Sequence, residues 1–190
     1  DTEINYGIEN QVVEFKTSIV YPAGANSNQA NLDEQINVIM RTINGFLNAK
    51  GGTIYIGIKN DGTPSGIEAD LHTLNCDIDK YERIIRDRIV KEFNKDVNGT
   101  IDITFIEDHN CTICRIHIPA YISPIAYRGE FFQRQGNEVR ILKGNDLIMF
   151  IRRRIEGKEI ILESPIIEPL PDNLQLQSDS SDEDVIRTST

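Results

Sequence analysis

Apolar residues recur at helical spacing in three stretches of the chain and alternate with polar residues in several others. Ile36, Ile39, Met40, Ile43, Phe46 and Leu47 follow the i, i+3, i+4, i+7 rhythm of one helix face. The spacing predicts a helix from residue 31 or 33 to residue 48. Asn31 is placed to cap it, and Asp33 and Glu34 in the first turn favour its dipole. Leu74, Ile78, Tyr81, Ile85, Ile89 and Phe93 form a second stripe, predicting a helix from residue 74 or 77 to 93. Leu147, Ile148, Ile151 and Ile155 predict a last helix over 145–155. Strands are expected at 11–16, at 53–58, and as an antiparallel hairpin at 101–106 and 112–118. Short strands are expected at 126–128, 130–134 and 138–142, around Gly129 and the Gly136-Asn137 turn. Residues 64–67 read as a hairpin partner of the 53–58 strand, and Asn98-Gly99 as a turn. The fold class is α+β: a mixed, largely antiparallel sheet with about three packed helices.

The stretch Ile43 to Ile58, INGFLNAKGGTIYIGI, organises this pattern. Gly51-Gly52 ends the helix, because glycine takes left-handed backbone angles without steric cost. Thr53, Ile54, Tyr55, Ile56 and Ile58 are β-branched or aromatic, as a central strand wants. Gly57 interrupts the strand where another backbone or a ligand approaches. Lys59, Asn60, Asp61 and Gly62 then form a polar turn. The expectation is that the first strand and this turn are neighbours at one rim of the sheet.

Charge changes the picture at the C-terminal end. Residues 158–190 carry two basic and eight acidic side chains, a net of −6 out of −10 for all 190 residues. This segment is rich in Pro, Ser and acid, so it is expected to be a disordered linker or tail, apart from an edge strand at 160–162. Residues 1–157 are also slightly acidic, without the basic excess of a strong free-standing duplex binder. No apolar run approaches the ~20 residues of a membrane span. Three cysteines without framework spacing suit a reducing cytoplasm.

A Glu-x-x-x-x-Glu-Phe-Lys strand comes first (Glu9, Glu14-Phe15-Lys16). A helix ending Asn-x-x-Gly-Gly follows (Phe46, Asn48, Gly51-Gly52), then an apolar strand ending Ile56-Gly57-Ile58. Gly62, Gly66-Ile67 and the run from Phe132 through Arg134 to Asn137 complete the order. This ordered set resembles the Schlafen AlbA-like domain, over about residues 7–157. The resemblance implies a nucleic-acid-binding α+β domain, acting on DNA or RNA, of the kind found at the front of bacterial transcriptional regulators. It also implies pairing of two lobes, here a homodimer. In Schlafen proteins the paired lobes cleave structured RNA with three carboxylates and a divalent metal, magnesium or manganese. Glu9 and Glu14 fall on the first two carboxylates. The third position holds Lys59 and Asn60, with Asp61 displaced by one or two residues.

The candidate catalytic and metal-binding residues are therefore Glu9, Glu14 and Asp61, since hard cations want clustered oxygen ligands. Glu9 and Glu14 are an odd number of positions apart, so a regular strand would place them on opposite faces; convergence needs a bend. Lys16, Arg128, Arg134 and Arg140 are the candidate phosphate contacts, with salt bridges to the body's many acids as the alternative. Arg152, Arg153 and Arg154 spread around a helix and read as a solvated face. Cys111-x-x-Cys114 on a strand points to opposite faces, and no second pair stands at zinc spacing. Gly51-Gly52 lacks the Gly-Lys-Ser/Thr ending of a nucleotide-binding loop. The readings in order are a nucleic-acid-binding regulatory module, a metal-dependent RNA endonuclease, and a protein-interaction module docking through the acidic tail.

Overall fold

The double glycine is where helix and sheet meet, and its geometry explains both residues. In the computed structural model, which describes residues 5–22, 29–108 and 110–157, Gly51 has φ +79°. A Cβ there would stand 2.7 Å from the Ile118 carbonyl oxygen, and one on Gly52 2.4 Å from the Phe46 ring. Glycine at both positions lets the strand press directly against its neighbour and against the helix it has just left.

The elements run β1 (Val13–Lys16), α1 (Leu32–Leu47), β2 (Gly51–Ile56), α2 (Glu68–Leu74), α3 (Ile78–Glu92), α4 (Lys95–Thr100), β3 (Asp102–Asp108), β4 (Cys111–Pro119), β5 (Phe132–Gln135), β6 (Glu138–Ile141) and α5 (Gly144–Ile155). One sheet has the order β1-β2-β4-β3. Its β1–β2 pair is parallel, with α1 as the crossover that such a pair requires, and the other pairs are antiparallel. A separate β5–β6 hairpin packs on α1. The fold is α+β, as the residue pattern predicts, with five helices among the described residues rather than about three.

Period-two alternation assigns the faces. Ile54, Ile56, Cys114, Ile116, Ile118 and Ile103 form one core with Ile36, Ile39, Met40, Ile43 and Phe46 of α1 and Tyr81, Ile85 and Ile89 of α3. On the other face Phe15, Ile58 and Ile113 form a smaller cluster with Tyr6 and Tyr55. Thr53, Tyr55 and Arg115 are half-buried there and His117 is exposed. Cys111 and Cys114 join different clusters, as strand alternation requires.

Several local readings are corrected. Residues 64–67 make one bridge, Ile58 to Pro64, and then lead into α2. Asn98-Gly99 lies inside α4, because the Asn94 side chain accepts from Val97 N at 2.8 Å and Val97 buries against the core. Residues 126–130 make one bridge, Tyr127 to Glu130, rather than a strand. β2 starts at Gly51, since both glycines pair with β4. The readings for 158–190 lie outside the described residues, and no helix among the described residues is long and apolar enough to cross a membrane.

Candidate functional site

The expected rim forms. Lys16 O, at the end of β1, accepts from Gly57 N at 2.7 Å and Ile58 N at 3.2 Å. The lead-in strip passes the same turn, where Tyr6 N donates to Gly62 O at 3.0 Å. Gly57 has φ +96°, and a Cβ there would stand 2.9 Å from the Gly66 backbone, so the interrupting glycine serves a backbone crossing.

The side chains at this rim do not converge as a metal site. Glu9 lies outside β1, and its Oε1 accepts from Phe15 N at 2.8 Å. Glu14 faces the helix-covered side of the sheet and is 8% exposed. One of its oxygens accepts from Lys16 Nζ and the other from Arg134 Nη1. Asp61 Oδ1 accepts from Thr63 N at 3.0 Å and Thr63 Oγ1 at 2.6 Å within its own exposed turn. These bonds, foremost the Thr63 hydroxyl, hold the Asp61 carboxyl below its ordinary range. Among the described residues no three His, Cys, Asp or Glu side chains gather to hold a metal ion. The expected Glu9–Glu14–Asp61 set is therefore corrected. Its donors serve the edge of the sheet and a surface turn. Burial and Asp108 push the Tyr6 phenol up to about 12.

The four candidate cations also separate. Arg134 is 3% exposed. Beyond Glu14, its Nη2 donates to Asn10 O at 2.8 Å and Val13 O at 3.1 Å, and its guanidinium lies over the Phe46 ring. It closes the outer edge of β1, where unpaired backbone groups would otherwise recruit another strand. It is corrected from phosphate contact to scaffold, and Lys16 shares its carboxylate. Arg140 pairs with Glu138 on its own strand at 2.9 Å, both side chains about 60% exposed. Arg128 differs. It is exposed and held at φ +53°, with its guanidinium over the Tyr127 ring.

Around Arg128 the structure assembles residues that the pattern did not single out. Arg128 Nη2 donates to Glu92 Oε1 at 2.8 Å and Asn37 Oδ1 at 2.9 Å. The Arg128 hydrogen bond holds the Glu92 carboxyl below its ordinary range. Arg88 bonds Asn37 at 3.3 Å and Asp33 at 2.6 Å. Arg41, exposed, lies over the Phe132 ring. Asn37, Arg41, Asn44 and Asn48 stand at helical spacing along α1, a polar stripe beside the apolar one. That stripe was the available signal. Its lower half is buried. Asn44 and Asn48 Nδ2 both donate to Ile125 O, and Asn48 Nδ2 also to Phe132 O at 2.9 Å. Phe132 N and Ile125 N donate back to Asn44 Oδ1 and Asn48 Oδ1. The clasp holds the segment that presents Tyr127, Arg128 and Phe132.

A mixed sheet with a helix-covered core and arginines resting on aromatic rings define a domain of α+β class. The Schlafen, AlbA_2 family model matches residues 9–143, and the chain belongs to that family. Among solved structures it is similar to the DIP2311 protein of Corynebacterium diphtheriae, at 21% identity and a TM-score of 0.51. That match covers 70% of this chain and 25% of the other, so the chain spans about a quarter of that relative's length. It is also similar to the N-terminal domain of an ATP-dependent DNA helicase RecG-related protein from Nitrosomonas europaea, at 16% identity and a TM-score of 0.40. That match covers 70% of this chain and 84% of that one. No curated protein matches the sequence.

Proposed function

We propose that this domain is a nucleic-acid-binding regulatory module that binds without cleaving. Membership of the Schlafen, AlbA_2 family supports the ligand class. The observation that carries binding over cleavage is the state of Glu14. Its carboxylate answers a buried arginine and a lysine, so the family's carboxylate position acts here as a counter-ion. Arg41, exposed beside Phe132, supplies the kind of cation that neutralises phosphates in an otherwise acidic body.

The test pairs two measurements on the full chain. Fluorescence anisotropy with labelled RNA and DNA should show binding that weakens steeply as salt rises. Incubation of structured RNA with magnesium or manganese should leave it intact. Absence of binding to either nucleic acid at low salt would reject the proposal. Cleavage that is lost in Glu14→Gln would restore the nuclease reading.

A further inference from the structure

One oxygen organises the surface of α1. Asn37 Oδ1 accepts from Arg128 Nη2 at 2.9 Å, Tyr127 Oη at 3.2 Å and Arg88 Nη1 at 3.3 Å. Three donors converging on it fix the orientation of the amide. The Asn37 Nδ2 hydrogens must then point the other way. Among the described residues they have no hydrogen-bond partner.

Arg41 stands one turn further along the same helix. Its guanidinium lies 5.5 Å from the Phe132 ring centroid, and that of Arg128 5.1 Å from Tyr127, the two rings being 6.3 Å apart. A guanidinium over a ring is attracted to its face and ordered there. Arg128 commits its Nε and Nη2 to Glu92 and Asn37, whereas the Arg41 guanidinium has no hydrogen-bond acceptor among the described residues. Arg41 has no carboxylate within ion-pair distance among the described residues. Arg88 and Arg128 are ion-paired with Asp33 and Glu92. Asp33 is a loose partner, its side chain 86% exposed. A guanidinium edge and an amide N–H pair, adjacent and pre-ordered, match the oxygens of a phosphate.

We infer that Asn37 and Arg41 form a contact site for the phosphodiester backbone of a nucleic acid, with Arg128, itself paired with Glu92, holding the Asn37 amide in place. The inference rests on the nucleic-acid-binding reading above and locates it on the α1 surface, away from the β1 rim.

The test uses the full chain with a labelled single-stranded RNA and a labelled DNA duplex, each about 20 nucleotides or base pairs long, titrated across a salt series. Arg41→Ala should lower affinity about 5- to 10-fold and flatten the plot of log affinity against log salt by about 0.7 to 0.9, the share of one phosphate contact. Arg41→Lys should recover most of that slope. Asn37→Asp keeps an oxygen for the three donors but replaces the free amide hydrogens with negative charge. It should lose affinity at least as strongly while melting no lower than wild type, an outcome that a purely structural role does not produce. If Arg41→Ala and Asn37→Asp both bind with wild-type affinity and slope, the site is wrong and the nucleic-acid reading stands. Weakened binding with an unchanged slope also overturns it, since no phosphate contact was then lost. A wild-type protein that binds neither probe at low salt removes the site together with the reading.

Discussion

Glu14 and Arg134 show how one pair can turn a motif into scaffold. A buried guanidinium without its counter-charge is expensive, and removing one partner of such a pair costs about 3–5 kcal/mol. Glu14→Ala should therefore destabilise by about that amount in chemical denaturation. Glu14→Gln, which keeps an acceptor, should cost less. Equal stability of wild type and Glu14→Ala would show that the pair is not formed. Glu92 provides a pH-dependent test of the Arg128 surface. Its folded-state value lies below the ordinary 4.5, with the Arg128 hydrogen bond as the largest cause. The stability from this lowering is present above the unfolded value and is lost as pH falls through the folded one. Arg128→Ala should be less stable than wild type near neutral pH, and the difference should close in acid. A difference that stays constant with pH would mean that Glu92 does not sense Arg128.

At the scale of elements, the Asn44–Asn48 clasp is the joint between α1 and the segment leading into β5. Asn48 is fully buried, and truncating it leaves the Ile125 and Phe132 backbone groups short of partners at once. Asn48→Ala should lose about 2–4 kcal/mol, within the range for unsatisfied buried polar groups. Hydrogen exchange should show faster opening at residues 125–133 than in the β2–β4 ladder. Uniform loss of protection across both regions would show that the clasp has no local role. α2 is joined differently. Asp70 is 1% exposed and accepts from Ile19 N at 2.9 Å, Tyr81 Oη at 3.0 Å and Ser18 Oγ. Burial outweighs these bonds and raises its carboxyl above the ordinary 3.8. A raised acid contributes most below its unfolded value, and that contribution is lost as pH rises through the folded value. Wild type should thus lose stability relative to Asp70→Asn on going from acid to neutral pH, as read from urea midpoints. No change in their difference would mean that Asp70 titrates as in water.

For the whole molecule, a binding-without-cleavage reading has a simple consequence. Magnesium or manganese in the millimolar range should leave the melting temperature unchanged, because a ligand stabilises only what it binds in the folded state. A rise with either ion, absent in Glu14→Gln, would restore the carboxylates as ligands. The apolar rhythm alone made most of the architecture legible: α1, α3, α5, the β3–β4 hairpin and the Gly51-Gly52 junction. Those elements follow from local periodicity, and burial of one stripe or face is enough to specify them. α2 and α4 were missed because they are six or seven residues long, too short for a stripe, and are held by tertiary contacts of Asp70 and Val97.

The chain's own order determined the long helices α1, α3 and α5 and the strands of the main sheet, since each depends on a repeating apolar period or on turn residues a few positions away. Which charges were free and which were committed was decided only by folding. Arg134 meets Glu14 from 120 positions away, and Arg128 meets Asn37 from 91. No spacing encodes such pairs. The value of a charged side chain depends on the partner and the solvent that the tertiary fold brings to it, and both are set by the packing of the whole domain.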